Sequence, residues 1–257
     1  MFFESHAHYD DKSYSMDRDR LLGQDLPAAG VSTIVNIGAC MGSSRRSVAL
    51  AERYEYVYAA VGVHPHDVAN MYDKDMEELA QLAAHPKVVA FGEIGLDFHY
   101  NHSPQPVQIR RFHDQMEMAI SLGLPVVVHS READKETLEI LTKYASRIKG
   151  LVVHCFSGDL ALAQKYVDMG FYIGISGVVS YKKAFGLHAC AQKLPFNSIL
   201  LETDCPYLSP EPKRGKRNDS QNLPIIAEHI ARLRNTTVAE VAAKTDENAR
   251  RLFGMPL

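Results

Sequence analysis

Apolar residues in this chain gather into short clusters, many of them β-branched, and each cluster gives way to a longer stretch with apolar positions every three or four residues. The first pattern predicts buried strands and the second amphipathic helices. Their alternation is what a parallel sheet wrapped by helices produces. Eight apolar runs stand out: FFESHAH, STIVNIGA, VYAAVGVH, VVAFGEIG, PVVVHS, GLVVHCF, FYIGISG and ILLETD. The stretches between them include predicted helices over Met16 to Ala29, Gln105 to Leu122 and Glu132 to Ile148. Two more, Asn222 to Arg234 and Val238 to Phe253, close the chain. No Pro/Gly/Ser-rich linker or low-complexity tract divides it. The expectation is one domain over residues 1–257, of the α/β class, folded as a single (β/α)8 TIM barrel, a fold that takes roughly 250 residues. Ser209 to Asn222 (SPEPKRGKRNDSQN) is too polar and too rich in breakers for an element, and reads as a long surface loop after the eighth strand. Loops in that position usually carry function.

Composition adds constraints. With 46% hydrophobic and 23% charged residues in 257, the chain suits a globular protein with a sizeable core. A net charge of −3 gives no support to a broad nucleic-acid-binding face, so a grip on a polyanion has to come from a local basic patch or from bound cations. The four cysteines are scattered and form no CxxC pair, which argues against a disulfide framework or a zinc ribbon and suits a reducing cytosol. The opening MFFESHAHYDD has no basic leader region, and no later apolar run approaches a membrane span. A cytoplasmic protein with no membrane attachment is expected.

The chemistry sits at the strand ends. Six of the eight predicted strands end in groups that bind metal or handle protons: His6 and His8, His64, Glu93, His129, His154, and Asp204. In a parallel barrel the carboxyl ends of all strands open on one face, so residues far apart in sequence converge there. His6 and His8 lie two apart and point the same way. The same alternation sets Cys155 opposite His154 and Cys205 opposite Asp204, with both thiols toward the helix layer. A lone histidine at a strand end is usually just hydrogen-bonded, but a set of them with buried carboxylates changes that reading. Glu93 in VVAFGEIGLD, and Glu202 and Asp204 in SILLETDCPYL, are costly to bury without a cation. Imidazole and carboxylate donors without thiolate suit Mg²⁺, Mn²⁺ or Zn²⁺. Six ligands, His6, His8, Glu93, His129, His154 and Asp204, one of them a carboxylate able to bridge, make two divalent ions natural, and paired ions suit phosphoryl displacement.

These residues resemble those of the TatD family of metal-dependent deoxyribonucleases, within the amidohydrolase-like barrels. The resemblance runs nearly end to end, through SHAHYD at 5–10, GVHPHD at 62–67, GEIGLDFHY at 92–100, HSREA at 129–133, HCFSG at 154–158, LETDCPYLSP at 201–210 and NARRLFG at 248–254. It implies His6 and His8 on one ion, His129 and His154 on the other, and Glu93 bridging. Asp204 would bind the first ion and act as the general base on the attacking water. His64 and His66 would lie beside the metals and touch substrate phosphate, with Arg131 as a further substrate contact. Two departures stand out. Glu4 occupies a position where the family more often has Asp, and by alternation it shares a face with His6 and His8, where it would either alter the contacts behind them or sit deeper in the barrel. The segment RGKRNDSQNL also lacks the proline that commonly follows soon after the asparagine.

The implied activity is hydrolysis of DNA phosphodiesters, as an exonuclease acting on single strands or ends, with no obligate protein partner. Lys213, Arg214, Lys216 and Arg217 form the densest basic cluster of the chain and would clasp phosphates. An amide or ester hydrolase, such as an aminoacyl-tRNA deacylase, is the alternative; many amide hydrolases bridge their ions with a carboxylated lysine, where this chain has Glu93. A non-catalytic metal-binding module would have lost its base, and Asp204 is present.

Overall fold

A computed structural model describes residues 1–257. Eight strands run parallel: β1 (Phe2–Ala7), β2 (Val31–Ile37), β3 (Val57–Val61), β4 (Val88–Asp97), β5 (Val126–Arg131), β6 (Leu151–Val153), β7 (Tyr172–Ile175) and β8 (Ile199–Leu201). They are hydrogen-bonded in chain order. The two ends of the sheet meet through a parallel bridge between Ala7 and Cys205 and a 3.0 Å bond from Ser5 Oγ to the Leu201 carbonyl, which closes the barrel. Helices Met41–Arg53, Asp73–Ala83, Gln105–Leu122, Asp134–Tyr144, Leu160–Asp168, Phe185–Lys193 and Leu223–Arg234 follow β2 to β8 in turn, and Val238–Phe253 comes last. This is the (β/α)8 barrel that the alternation predicts. No helix is long and apolar enough to cross a membrane.

Helix ends follow local chemistry. Gln105–Leu122 carries Pro106 in its first turn, where the missing N–H costs nothing, and stops at Gly123 with φ +64°. Val238–Phe253 starts on a Thr237 side chain that accepts the Glu240 N–H and ends at Gly254. The stretch expected as Met16 to Ala29 is instead three pieces, Arg18–Arg20, a π turn Leu21–Asp25, and Leu26–Ala28. Pro27 can donate no hydrogen bond to the Gly23 carbonyl, and the ladder shifts there. The expected Glu132 to Ile148 helix is trimmed because Arg131 still belongs to β5 and Glu132 has φ +51°.

Two apolar clusters build the core. The larger, 54 buried residues, fills the shell between strands and helices. The smaller, 12 residues, includes Phe3, Val35, Ile37, Ala60, Val127, Val152 and Leu200, packed with Leu252 and Phe253 of the last helix. Phe253 stacks on Phe3 with ring centroids 6.0 Å apart. Strands buried on both faces explain the continuous apolar runs of the sequence. That apolar plug closes one end of the barrel and leaves chemistry to the other.

Two sequence readings need correction. Register slips between Glu4 and Ala7 in β1, so simple alternation fails there. The Glu4 carboxylate turns to Thr203 and Ser220, accepting from Thr203 N (2.9 Å), Thr203 Oγ1 (2.6 Å) and Ser220 Oγ (2.8 Å) as well as from the His6 backbone N–H (3.3 Å), and does not join the imidazoles. The loop after β8 is also not wholly superficial. Lys213 to Arg217 are exposed, but Asn218, Ser220 and Asn222 are buried. Asn218 Nδ2 donates to the carbonyls of Thr203 (3.0 Å) and Tyr207 (2.6 Å), and Asn222 Nδ2 donates to Asn218 Oδ1 (2.6 Å). Polar side chains enter the interior when each finds its partner, which composition alone does not reveal.

Candidate metal centre

The open end of the barrel gathers all the proposed ligands around Glu93. Glu93 lies inside β4, His129 inside β5, and His6 near the end of β1, while His8, His64, His154 and Asp204 sit one to three residues past their strands. Around Glu93 Oε2 stand His6 Nε2 at 3.4 Å and His8 Nε2 at 3.8 Å, with 3.1 Å between the two imidazole nitrogens. Asp204 Oδ1 completes this group at 3.4 Å from His8 Nε2 and 3.7 Å from His6 Nε2. Around Glu93 Oε1 stand His154 Nε2 at 2.6 Å, His129 Nδ1 at 2.9 Å and His64 Nε2 at 3.5 Å. His154 Nε2 and His129 Nδ1 are 3.4 Å apart.

These spacings bear directly on metal. Ligands placed tetrahedrally about 2.1 Å from an ion lie about 3.4 Å from one another; the group on Oε2 clusters near that edge length, while on Oε1 His64 at 3.5 Å matches it and His154 and His129, at 2.6 and 2.9 Å, stand at hydrogen-bond distance. Each oxygen of one carboxylate faces its own group, which is the geometry of a bridge. Nitrogen and oxygen donors without thiolate suit divalent ions of the Mg²⁺, Mn²⁺ or Zn²⁺ kind. His6 Nδ1, His154 Nδ1 and Glu202 Oε2 are buried polar atoms with no hydrogen-bond partner, so the floor of the site has polar capacity in reserve. The residues fit a pair of ions.

Charge follows from the crowding. Burial opposes ionisation of Glu93, but His154 and the hydrogen bond from His129 outweigh it and hold the carboxyl well below the usual range. Burial likewise disfavours a charged His8, yet the bond to Asp204 and nearby carboxylates push it up to about 10. His129 is pushed up to about 9, with Asp97 and Glu93 overcoming burial. His6, fully enclosed and facing His154, is pulled down to about 4. Burial raises Glu202 to about 8. The barrel mouth thus holds positive charge in the form of protons on histidines, at positions a cation would take over.

One participant escaped sequence reading. Asp97, buried two turns of the pleat beyond Glu93, accepts from His129 Nε2 (3.1 Å) and His66 Nε2 (2.9 Å). That bond fixes His129 with Nδ1 directed at Glu93 and ties His66 to the rim. The signal was available, because Glu93, Gly95 and Asp97 alternate onto one face of β4. His64, read as a phosphate contact, stands within the second ligand group; Glu93, His64 and His129 offer donor atoms within 4.8 Å of one another. Arg131 lies over the Tyr100 ring at the rim, 4.9 Å from its centroid.

The basic loop divides in two. Arg217 is tied down, with 2.8 and 2.6 Å bonds to Asp17 and a position over the Tyr14 ring. Lys213 Nζ donates to Asn222 Oδ1 at 2.7 Å. Arg214 lies over Tyr181, 3.9 Å from Glu211, and Lys216 is exposed. Cys205 packs with Tyr9 and Tyr14 on the helix side, as expected. Cys155 differs: with φ +42° it leaves the strand alternation, and its thiol lies 3.4 Å from Ser176 Oγ, close enough to Asp204, Glu202 and Glu93 to feel their charge. Burial pushes that thiol well up, so it stays protonated.

Comparison with known proteins points one way. The family model described as TatD related DNase matches residues 3–254. The uncharacterized metal-dependent hydrolase YabD of Bacillus subtilis is 37% identical, over 98% of this chain and 99% of that protein. The 3'-5' ssDNA/RNA exonuclease TatD of Cronobacter sakazakii is also 37% identical, over 93% of each. Among solved structures, the TatD homologue YjjV of Escherichia coli superposes with a TM-score of 0.93 at 33% identity, over 99% of this chain and 98% of that one.

Proposed function

The chain belongs to the family of TatD-related DNases, and from that premise we propose that it is a metal-dependent phosphodiesterase that shortens DNA from an end, with single strands as its preferred form. The observation that carries the reading is the placement of the two Glu93 oxygens, Oε2 toward His6 and His8 and Oε1 toward His129, His154 and His64. When bound there, two divalent ions stabilise charge on the attacking and leaving oxygens and make water a stronger acid.

The side chains divide the remaining work. His6, His154 and Glu93 form the enclosed floor, while His8, Asp204, His64 and His129 are the more open members of the cluster. Asp204 orients the attacking water and takes its proton. Burial disfavours its charge, but in the metal-free chain the hydrogen bond from His8 and the field of His154 already hold it in the ionised form that accepts a proton. Burial holds His64 neutral, so it meets a phosphate oxygen as a hydrogen-bond donor rather than as a charge. His66, anchored on Asp97, and Arg131 at the rim contact the phosphates on that side. Arg214 and Lys216 supply the charges of the loop that remain available to the polynucleotide.

The test is direct. Metal-loaded chain is incubated with end-labelled single- and double-stranded DNA, with and without EDTA, and product lengths are resolved. The reading expects a chelator-sensitive ladder that shortens stepwise from one end, faster on single strands. Products of internal cutting, or hydrolysis of esters and amides with DNA left intact, would reject it.

A further inference from the structure

We propose that Tyr100 and Tyr207 are stacking platforms for two nucleobases of the substrate strand, one on each side of the phosphodiester held at the metal centre. The inference rests on the nuclease reading above and adds to it the part of the substrate that is recognised.

Most of the aromatic residues of this chain are covered. Large aromatic rings left exposed are Tyr72, Tyr100, Phe185 and Tyr207, and two of them, Tyr100 at 50% and Tyr207 at 54% exposure, border the ligand cluster. They border it at different ends. The Tyr207 ring packs beside His8, with centroids 6.2 Å apart at 65°, so it flanks the group formed by His6, His8 and Asp204. The Tyr100 ring packs edge-on against His66, with centroids 5.5 Å apart at 88°, and His66 in turn lies 4.3 Å from His64, so Tyr100 flanks the other group. A phosphate seated between the two groups has a tyrosine ring toward each neighbouring nucleotide.

Both rings are presented on a backbone tied to the site. Tyr207 N donates to the Asp204 carbonyl at 2.9 Å, and its own carbonyl accepts from Asn218. Tyr100 N donates to Asp97 Oδ1 at 2.8 Å, on the carboxylate whose other oxygen accepts from His66 and His129. Around Tyr100 the planar groups are aligned: His102 is parallel to it within 10° at 5.6 Å, and the Arg131 guanidinium lies over its face. This is a flat, exposed surface with a cation at hand for the phosphate. Arg131 and His102 take part of the Tyr100 surface, and the half of each tyrosine left in water is what a base can stack on; every base has a π-face to offer, so such recognition tolerates any sequence. Bases in a duplex are already stacked on one another and cannot reach a tyrosine, which makes the platforms a physical cause for single-strand preference.

The experiment uses the metal-loaded full chain and two single-stranded octanucleotides, one intact and one with tetrahydrofuran abasic residues replacing the two terminal nucleotides at each end. The readout is the ratio of kcat/KM on the intact strand to that on the abasic strand. For the unaltered protein this ratio should be about 5- to 150-fold per ring engaged. It should fall toward one in the Tyr100→Ala, Tyr207→Ala double variant and survive in the corresponding Phe double variant, which keeps both rings. Thermal melting of each variant checks that the fold persists, as exposed positions lead one to expect. A ratio near one in the unaltered protein, a ratio unmoved by the Ala pair, or a Phe pair that behaves like the Ala pair would overturn the proposal while leaving the nuclease reading standing. Failure to cut either strand would overturn the nuclease reading itself, and the platforms with it.

Discussion

Asp204 and His8 share the more open side of the ligand cluster, and that position gives each a distinct test. Asp204 adopts φ +56°, a conformation that Asp tolerates better than most residues and that natural structures retain chiefly where the surroundings require it. Replacing it as Asp204→Asn keeps the shape and removes the base, so turnover should drop by on the order of 10²- to 10⁴-fold with the melting temperature little changed. A folded variant that keeps more than a tenth of the rate would reject the assignment. His8 and His129 make a statement about pH. In the metal-free chain they hold their protons up to about 10 and about 9, above the ordinary 6.5, so over the physiological range an incoming ion must displace a proton from each. Metal affinity should therefore rise with pH, by about tenfold per unit for each proton displaced, and level off above those values. Titration calorimetry in buffers of different ionisation enthalpy reads both affinity and proton release. Affinity that does not change between neutral and mildly alkaline pH would contradict the charge picture.

At the scale of elements, the barrel is held to close tolerances where β4 meets β5. Gly95 has φ +145°, and a Cβ there would overlap the His129 carbonyl oxygen. Gly95→Ala would push apart the two strands that carry Glu93 and His129, at a cost of about 3 kcal/mol from overpacking and backbone strain together. Urea unfolding of the metal-free chain measures it, and a change within about 0.5 kcal/mol, as at an ordinary surface site, would show that the strands can yield. The same two strands show what was legible in advance. Apolar runs located all eight strands, since a strand buried on both faces must be apolar throughout, and the helical spacing of apolar positions located Gln105–Leu122 and Val238–Phe253 to the residue. The convergence of the proposed ligands was legible because fold geometry carries strand ends to one face. Period-two alternation failed where it depends on unbroken register. The slip in β1 turned the Glu4 carboxylate away from the imidazoles, and Cys155, with its positive φ, sets its thiol beside Ser176 and within the field of the site's carboxylates. Partnered burial of Asn218, Ser220 and Asn222 was likewise hidden, because it depends on atoms that the sequence places far away or leaves unspecified.

For the whole molecule, a net charge of −3 means that attraction to a polyanion must be local. The loop after β8 supplies part of it, but the structure reduces its free charges, because Arg217 is committed to Asp17 and Lys213 to Asn222. Neutralising Arg214 and Lys216 together should weaken binding to single-stranded DNA and flatten its salt dependence, by a slope of roughly 0.7 for each phosphate that is no longer neutralised. Arg217→Ala should instead cost about 1 kcal/mol of stability through its partly exposed pair with Asp17. If the double neutralisation leaves the salt slope intact, the loop is no clamp. Beneath all of these stands one claim, that a single carboxylate joins two ligand groups into one site for two ions. Equilibrium dialysis against Mn²⁺ with elemental analysis of the protein tests it most directly. The account predicts saturation at about two ions per chain, falling clearly below two in Glu93→Gln. Saturation of the unaltered chain at one ion, or two ions retained without the Glu93 carboxylate, would contradict it.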